Sequence, residues 1–179
     1  MRVFVAFFPP SEVQWALAAA AGLLPTAAFR LTAPERVHVT LKFLGEVQPE
    51  DLTRVGSALE RIGQHGEPFD AAVSGFGVFP SARRARILWA GIGRGAEGFG
   101  SLARAVEDLL EPEGFAREER PFVPHLTLGR ARRPVPFDPG EATLPRLGFS
   151  MGALDLVESR QSASGVTYPV LERYPLVHH

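Results

Sequence analysis

The chain has 179 residues, 45% hydrophobic and 22% charged, the make-up of one folded globular unit rather than a disordered segment. Cysteine is absent, which excludes disulfide frameworks, zinc–thiolate sites, iron–sulfur clusters and cysteine nucleophiles. With 19 basic against 20 acidic residues the net charge is −1, so no global basic field for nucleic acid exists.

Gly (18) and Pro (16) are both abundant, which points to many short elements joined by turns. Residues 2–8 alternate and are rich in Val and Phe, a strand stopped by Pro9 and Pro10; Ser11 then caps a helix over 12–21. Residues 29–34 read as irregular. RVHVTLKFL at 36–44 is a second strand, ended by Gly45. Leu52, Val55, Leu59 and Ile62 recur at helical spacing and predict a helix over 49–64. Strands are predicted at 69–79 and 86–92, a helix at 99–110, and a strand at 123–130. Residues 149–156 and 166–171 read as a hairpin around a Ser/Gly loop at 162–165. No apolar run reaches the ~18 residues needed to span a bilayer. No signal peptide is visible at the start, so cytoplasmic residence is expected.

One pattern repeats. His-x-Thr-Leu occurs at His38 and again at His125, with Thr40 and Thr127 at the same constant offset of 87 residues. Two copies of one strand motif predict residues 1–179 to be a single domain of two similar lobes related by a pseudo-twofold axis. The expected class is α+β, with mostly antiparallel sheets around a central groove and helices on the outside. In a strand, residues i and i+2 share a face, so His38 sits with Thr40 and His125 with Thr127. The alternate residues Val37, Val39, Leu41, Leu126 and Leu128 face a core.

A cleft holding two imidazoles and two hydroxyls suits in-line displacement at phosphorus. One neutral His deprotonates the nucleophile while one imidazolium protonates the leaving oxygen. Thr hydroxyls hydrogen-bond the non-bridging oxygens as charge builds on them. A phosphodiester carries one negative charge, so the reading includes no metal and no cofactor. The symmetry of the pair leaves open which His is acid and which is base. The remaining histidines, His65, His178 and His179, read as solvated.

These motifs resemble the paired HxTx signatures of the 2H phosphoesterase superfamily. HVTLKFLGEV (38–47), RILWAGI (86–92), FVPHLTLGR (122–130) and LVESRQSASGVTYPVLERYPL (156–176) are similar, in order, to segments of the RNA 2′,3′-cyclic phosphodiesterase family, historically named 2′-5′ RNA ligases. The resemblance implies a bilobal fold and metal-independent hydrolysis of an RNA-terminal 2′,3′-cyclic phosphate to a 2′-phosphate, with reverse 2′-5′ ligation as an associated reaction. It implies His38 as proton donor to the departing 3′ oxygen, His125 as the base that activates water, and Thr40 and Thr127 as phosphate holders. The implied partners are RNA ends or nucleoside 2′,3′-cyclic phosphates, with no membrane and no obligate protein partner.

Three further residues are candidates for substrate binding. Phe122 precedes the second motif and is placed either to stack a base or to fill the core. Arg130 follows it, but strand parity puts it opposite His125 unless the strand ends or bulges at Gly129. Lys42 shares parity with His38 and Thr40, which brings it to the groove rim or leaves it solvated. Two tight groups, Arg83, Arg84, Arg86 and Arg130, Arg132, Arg133, add local basic charge suited to phosphate.

Competing readings are a sister 2H enzyme acting on another cyclic or 2′-5′ nucleotide, and a non-catalytic RNA-end binder. Gly93-Arg-Gly95-Ala-Glu-Gly98 matches a dinucleotide-binding turn. No strand follows at 111–120 to carry the acid such a domain needs, so it reads as a strand-to-helix loop.

Overall fold

A computed structural model describes residues 1–140 and 142–179. Strand β1 (Arg2–Phe7) leads into α1 (Ser11–Gly22), then the short β2 (Phe29–Leu31) and β3 (Val39–Glu46). Helix α2 (Leu52–His65), β4 (Phe69–Phe79), β5 (Ala85–Ile92) and α3 (Ala96–Leu110) follow. The chain closes with β6 (His125–Val135), β7 (Gly148–Met151), β8 (Ala153–Ser162), β9 (Gly165–Thr167) and β10 (Val170–Pro175).

The strands hydrogen-bond in the order β10-β8-β1-β3-β6-β5-β4-β7, with β2 beside β6 and β9 beside β8, and all the pairs are antiparallel. The order reads symmetrically outward from the β3–β6 junction. The unit β1–α1–β3 in one half answers β5–α3–β6 in the other, which is the duplication expected from the 87-residue echo. The fold is the predicted α+β architecture.

Both faces of β1 are apolar because each meets a different partner. Val3, Val5 and Phe7 enter the main core, whereas Phe4 and Ala6 join Val157, Phe8 and Tyr168 in a second cluster on the opposite face. The main core lies between the sheet and the helices. Val55, Ala58, Leu59 and Ile62 of α2, and Phe99, Leu102, Ala103 and Val106 of α3, present buried stripes at helical spacing to it. α1 packs against β2 and β6, and α3 packs against β3, so each motif strand is backed by the helix of the other half. The opposite sheet face is left open as the groove.

Four local expectations change. Helix α1 starts at Ser11 itself with Pro10 in the cap position, and no side chain caps it. Residues 29–31 are a strand, because Phe29 is buried in the core and the backbone pairs with residues 129–131 of β6. The expected strand at 149–156 is divided at Gly152: β7 joins β4 in one half and β8 joins β1 in the other. The strand expected to stop before Gly45 runs to Glu46, with Gly45 at φ +74. The glycine-rich turn before α3 is the strand-to-helix loop expected. Its Gly95 takes φ +88 with Ala71 and the Asp70 carbonyl against it, where a Cβ would fall 2.8 Å from either. Among the described residues no helix is long and apolar enough to cross a membrane.

Candidate active site

The two motif strands touch at a single residue pair, Val39 of β3 and Leu126 of β6. Both side chains are buried on the helix side, as are Val37, Leu41 and Leu128. The alternate residues therefore face the groove. Because the pairing is antiparallel, stepping one residue either way sets His38 across from Thr127 and Thr40 across from His125. The two His-x-Thr motifs thus meet on one open face, each histidine opposite the threonine of the other half. His38 itself precedes β3 by one residue.

The imidazoles are held alike. His38 Nδ1 lies 2.6 Å from the Arg36 carbonyl, and His125 Nδ1 lies 2.7 Å from the Val123 carbonyl. A carbonyl only accepts, so Nδ1 carries the proton in both rings and Nε2 is the titrating nitrogen. The Thr40 hydroxyl is 3.0 Å from His38 Nε2 and, with that tautomer, donates to it.

Aromatic walls enclose both rings. Phe4, Phe8 and Tyr168 each place a ring centroid 5.2 Å from that of His38. Phe79 meets His125 edge-on at 5.1 Å, and Trp89 stands 6.3 Å away. Trp89 lies over Gly77, where a Cβ would fall 2.2 Å from the indole, so this glycine is required for the ring to lie there. Burial among these rings pushes His38 down to about 4, helped by the neighbouring His125 and by the positive field of Arg130, with the Arg36 carbonyl opposing. His125 is lowered by burial and by Arg130, with the Val123 carbonyl opposing. At neutral pH both histidines are therefore neutral.

Bulges decide the rest of the lining. On β3, Thr40 pairs with Ala6 and Lys42 with Val5, leaving Leu41 as the extra residue. On β6, Thr127 pairs with Trp89 and Gly129 with Leu88, leaving Leu128 as the extra residue. The bulge is itself duplicated at the 87-residue offset. It overturns the placement of Lys42 at the groove rim. Lys42 is 6% exposed, turned to the helix side beside Val5, and bonded to Glu107 Oε2 of α3 and the Ala116 carbonyl, each at 2.7 Å. The same half-turn brings Arg130 to the groove face, which strand parity had refused; the bulge falls at Leu128, one residue before Gly129.

Two groove residues carried no sequence signal. Phe43 is 69% exposed and packs its ring 6.0 Å from Phe4. Arg30 of β2 is paired directly with Arg130 across the ladder, and since Phe29 and Ala131 are buried, the two arginines project from the groove face. Phe122, in contrast, packs half-buried against the main core, so its core reading replaces base stacking. Among the described residues no three His, Cys, Asp or Glu side chains gather as a metal donor set. His65 and His179 are exposed, bonding to backbone carbonyls.

The LigT-like phosphoesterases match residues 7–89, a stretch that includes the first motif. A curated relative, the RNA 2′,3′-cyclic phosphodiesterase of Thermus thermophilus, is 35% identical over 98% of this chain and 90% of its own, spanning both motifs. The chain belongs to the LigT-like phosphoesterase family. The homonymous protein of Methanothermobacter thermautotrophicus is 38% identical over 60% of this chain and 58% of its own. A crystal structure of a Thermus thermophilus protein superposes with TM-score 0.84 at 32% identity, covering 98% of both chains. Escherichia coli LigT in complex with 3′-AMP superposes with TM-score 0.81 at 26% identity, over 99% of this chain and 98% of that one. As a LigT-like phosphoesterase of the 2H superfamily, this protein is an enzyme of phosphodiester hydrolysis.

Proposed function

We propose that the protein hydrolyses RNA-terminal 2′,3′-cyclic phosphates, or nucleoside 2′,3′-cyclic phosphates, to 2′-phosphates by paired acid–base catalysis at His38 and His125. The observation that carries this reading is the Val39–Leu126 junction, which faces each His with the Thr of the other half on one open surface. Relatives over most or all of the chain are named for that activity.

In this reading His125 Nε2 takes a proton from water as its oxygen attacks phosphorus. His38 Nε2 gives a proton to O3′ as the P–O3′ bond breaks, leaving the phosphate on O2′ and a free 3′-hydroxyl. Each such group supplies ~10²- to 10⁴-fold. Thr40 and Thr127 donate to the non-bridging oxygens, worth about 0.5–1.5 kcal/mol each where the hydrogen bond is neutral. Arg130 adds a fixed positive charge beside the developing one.

The site's electrostatics give the proton a definite history. With His38 held down to about 4 in the free enzyme, its imidazolium forms together with the entering phosphate anion. Protonation of Nε2 ends its acceptance from Thr40: the Thr40 hydroxyl is then free to donate to a phosphate oxygen, and Nε2–H is available to O3′. Water activation and leaving-group protonation are thereby prepared by one binding event.

The test is incubation with a nucleoside 2′,3′-cyclic phosphate in chelator, followed by identification of the product. A 2′-phosphate is expected. A 3′-phosphate, or saturable binding without turnover, refutes the reading.

A further inference from the structure

The groove is symmetric in its histidines but not in its charge. On one side of the Val39–Leu126 pair lie His38, Thr127 and the cross-strand neighbours Arg30 and Arg130. On the other lie Thr40, His125 and Phe43. Phe43 and Arg130 are equivalent residues of the two halves, so the duplication has placed an aromatic where its mirror position carries a cation.

Like charges directly opposite each other in a ladder repel, yet Arg30 and Arg130 face each other and, among the described residues, neither is paired with an acid. Beside them a cavity of about 370 Å³ is lined by Phe79, Pro80, Arg86, Ile87, Arg120 and Arg130. Among the described residues Arg30, Arg86, Arg120 and Arg130 make no ion pair, as is true of most arginines of the chain; what sets these apart is that they gather at one place. Arg86 is held toward β6 by a 3.4 Å bond to the Arg132 carbonyl. Three guanidinium groups line this cavity and Arg30 stands beside it across the ladder, an arrangement that suits an anion carrying more charge than the cyclic phosphate alone.

We propose that Arg30, Arg86 and Arg120, with Arg130 at its inner edge, bind the phosphodiester on the 5′ side of the terminal nucleotide. The inference rests on the cyclic phosphodiesterase reading. In an in-line reaction O3′ lies opposite the attacking water, so the ribose, still joined to phosphorus through O2′, and the RNA on its 5′ side extend toward the His38 end. By register Arg30 and Arg130 lie on the His38 side of the Val39–Leu126 pair, and the cavity beside them shares Phe79 with the wall of His125. On this placement the protein acts on RNA ends in preference to free cyclic mononucleotides, and the charged side fixes the bound strand in the polarity that the acid role of His38 requires.

The experiment compares three substrates at low salt: a nucleoside 2′,3′-cyclic phosphate, a trinucleotide ending in the same cyclic phosphate, and that trinucleotide with its last linkage replaced by a neutral methylphosphonate. The charged trinucleotide is expected to exceed the other two in kcat/KM by about tenfold or more. Arg86→Gln and Arg120→Gln are expected to remove that advantage while leaving mononucleotide turnover within about twofold. Equal turnover of the charged and neutral trinucleotides overturns the subsite, as does an equal loss on all three substrates in the variants. If none of the three is turned over, the cyclic phosphodiesterase reading fails, and the subsite is judged by fluorescence anisotropy of a labelled trinucleotide 2′-phosphate. Binding weakened about fivefold or more by Arg30→Gln supports it, and unchanged binding overturns it.

Discussion

Phe43 and Arg130 stand at the same place in the two halves, three residues beyond Thr40 and Thr127, and both reach the groove face because Leu41 and Leu128 are the extra residues of matching bulges. The bulge is therefore the device that finishes the site. It removes the residue two after each threonine from the groove and presents the next one. In one half that exchange buries Lys42 and exposes Phe43; in the other it hides Gly129 and presents Arg130.

Lys42→Ala separates the placement on the helix side from one at the rim. The Lys42–Glu107 pair is nearly buried, with side chains 4% and 14% exposed. Removing one partner of a buried pair costs about 3 kcal/mol. Denaturant unfolding is expected to show a loss of that order, with kcat/KM for a cyclic phosphate within about twofold of wild type under native conditions. A large fall in kcat/KM with unchanged stability contradicts the bulge.

The pH dependence follows from the directions in which the histidines are moved. Both lie below the ordinary value of 6.5, mainly through burial. The reaction needs one proton shared over the pair, and in the free enzyme that proton is lost as pH rises through the lowered values. The kcat/KM profile is expected to be bell-shaped with its optimum below about 6.5, and the kcat optimum to lie higher, since the bound anion favours the imidazolium. Arg130→Gln removes a charge that depresses both rings and is expected to move the kcat/KM optimum upward. An optimum of kcat/KM above about pH 7.5 contradicts these electrostatics.

Stability carries the same signature. A buried histidine with a lowered value is protonated more readily in the unfolded chain, so its contribution is full above about 6.5 and is lost as pH falls toward 4. For His38 the loss is on the order of 3 kcal/mol. Unfolding of wild type and His38→Phe, measured at pH 7 and pH 4.5, is expected to show the variant losing less on acidification. Equal losses contradict the depressed value.

Much of this site was legible in the sequence, and what was not has a physical cause. His38, Thr40, His125 and Thr127 announced themselves because a repeated polar pair inside apolar strands leaves few positions for a groove. Parity counting then failed one step later, since Leu41 and Leu128 look like any strand residue. Bulges are created by register against β1 and β5, which sequence patterning does not display. Arg30 was hidden because β2 has only three residues, too few for alternation to show, and its strand character comes from pairing with β6. Phe122 has the composition of a stacking residue and the surroundings of a core one. Gly152 marked a break that reads as an ordinary strand glycine until β7 and β8 are seen in different halves.

Gly77 tests the support beneath His125. Any side chain there meets the Trp89 indole, and Trp89 packs with Phe79 at 4.9 Å to wall the imidazole. Gly77→Ala is expected to lower kcat by about tenfold or more with a shift in near-ultraviolet circular dichroism from the displaced tryptophan. Retention of wild-type kcat together with an unchanged tryptophan signal contradicts the positioning role.

Paired acid–base catalysis is tested most directly by turnover of a trinucleotide 2′,3′-cyclic phosphate, in EDTA, by wild type, His38→Ala, His125→Ala and the double variant, with folding checked by circular dichroism. Wild type is expected to form the 2′-phosphate in chelator, and each single variant to lose about 10²-fold or more. The double variant is expected to lose less than the product of the singles, because the two groups act in one proton relay. Near-wild-type turnover by folded His125→Ala, or wild-type activity abolished by EDTA and restored by one divalent ion, contradicts the two-histidine account.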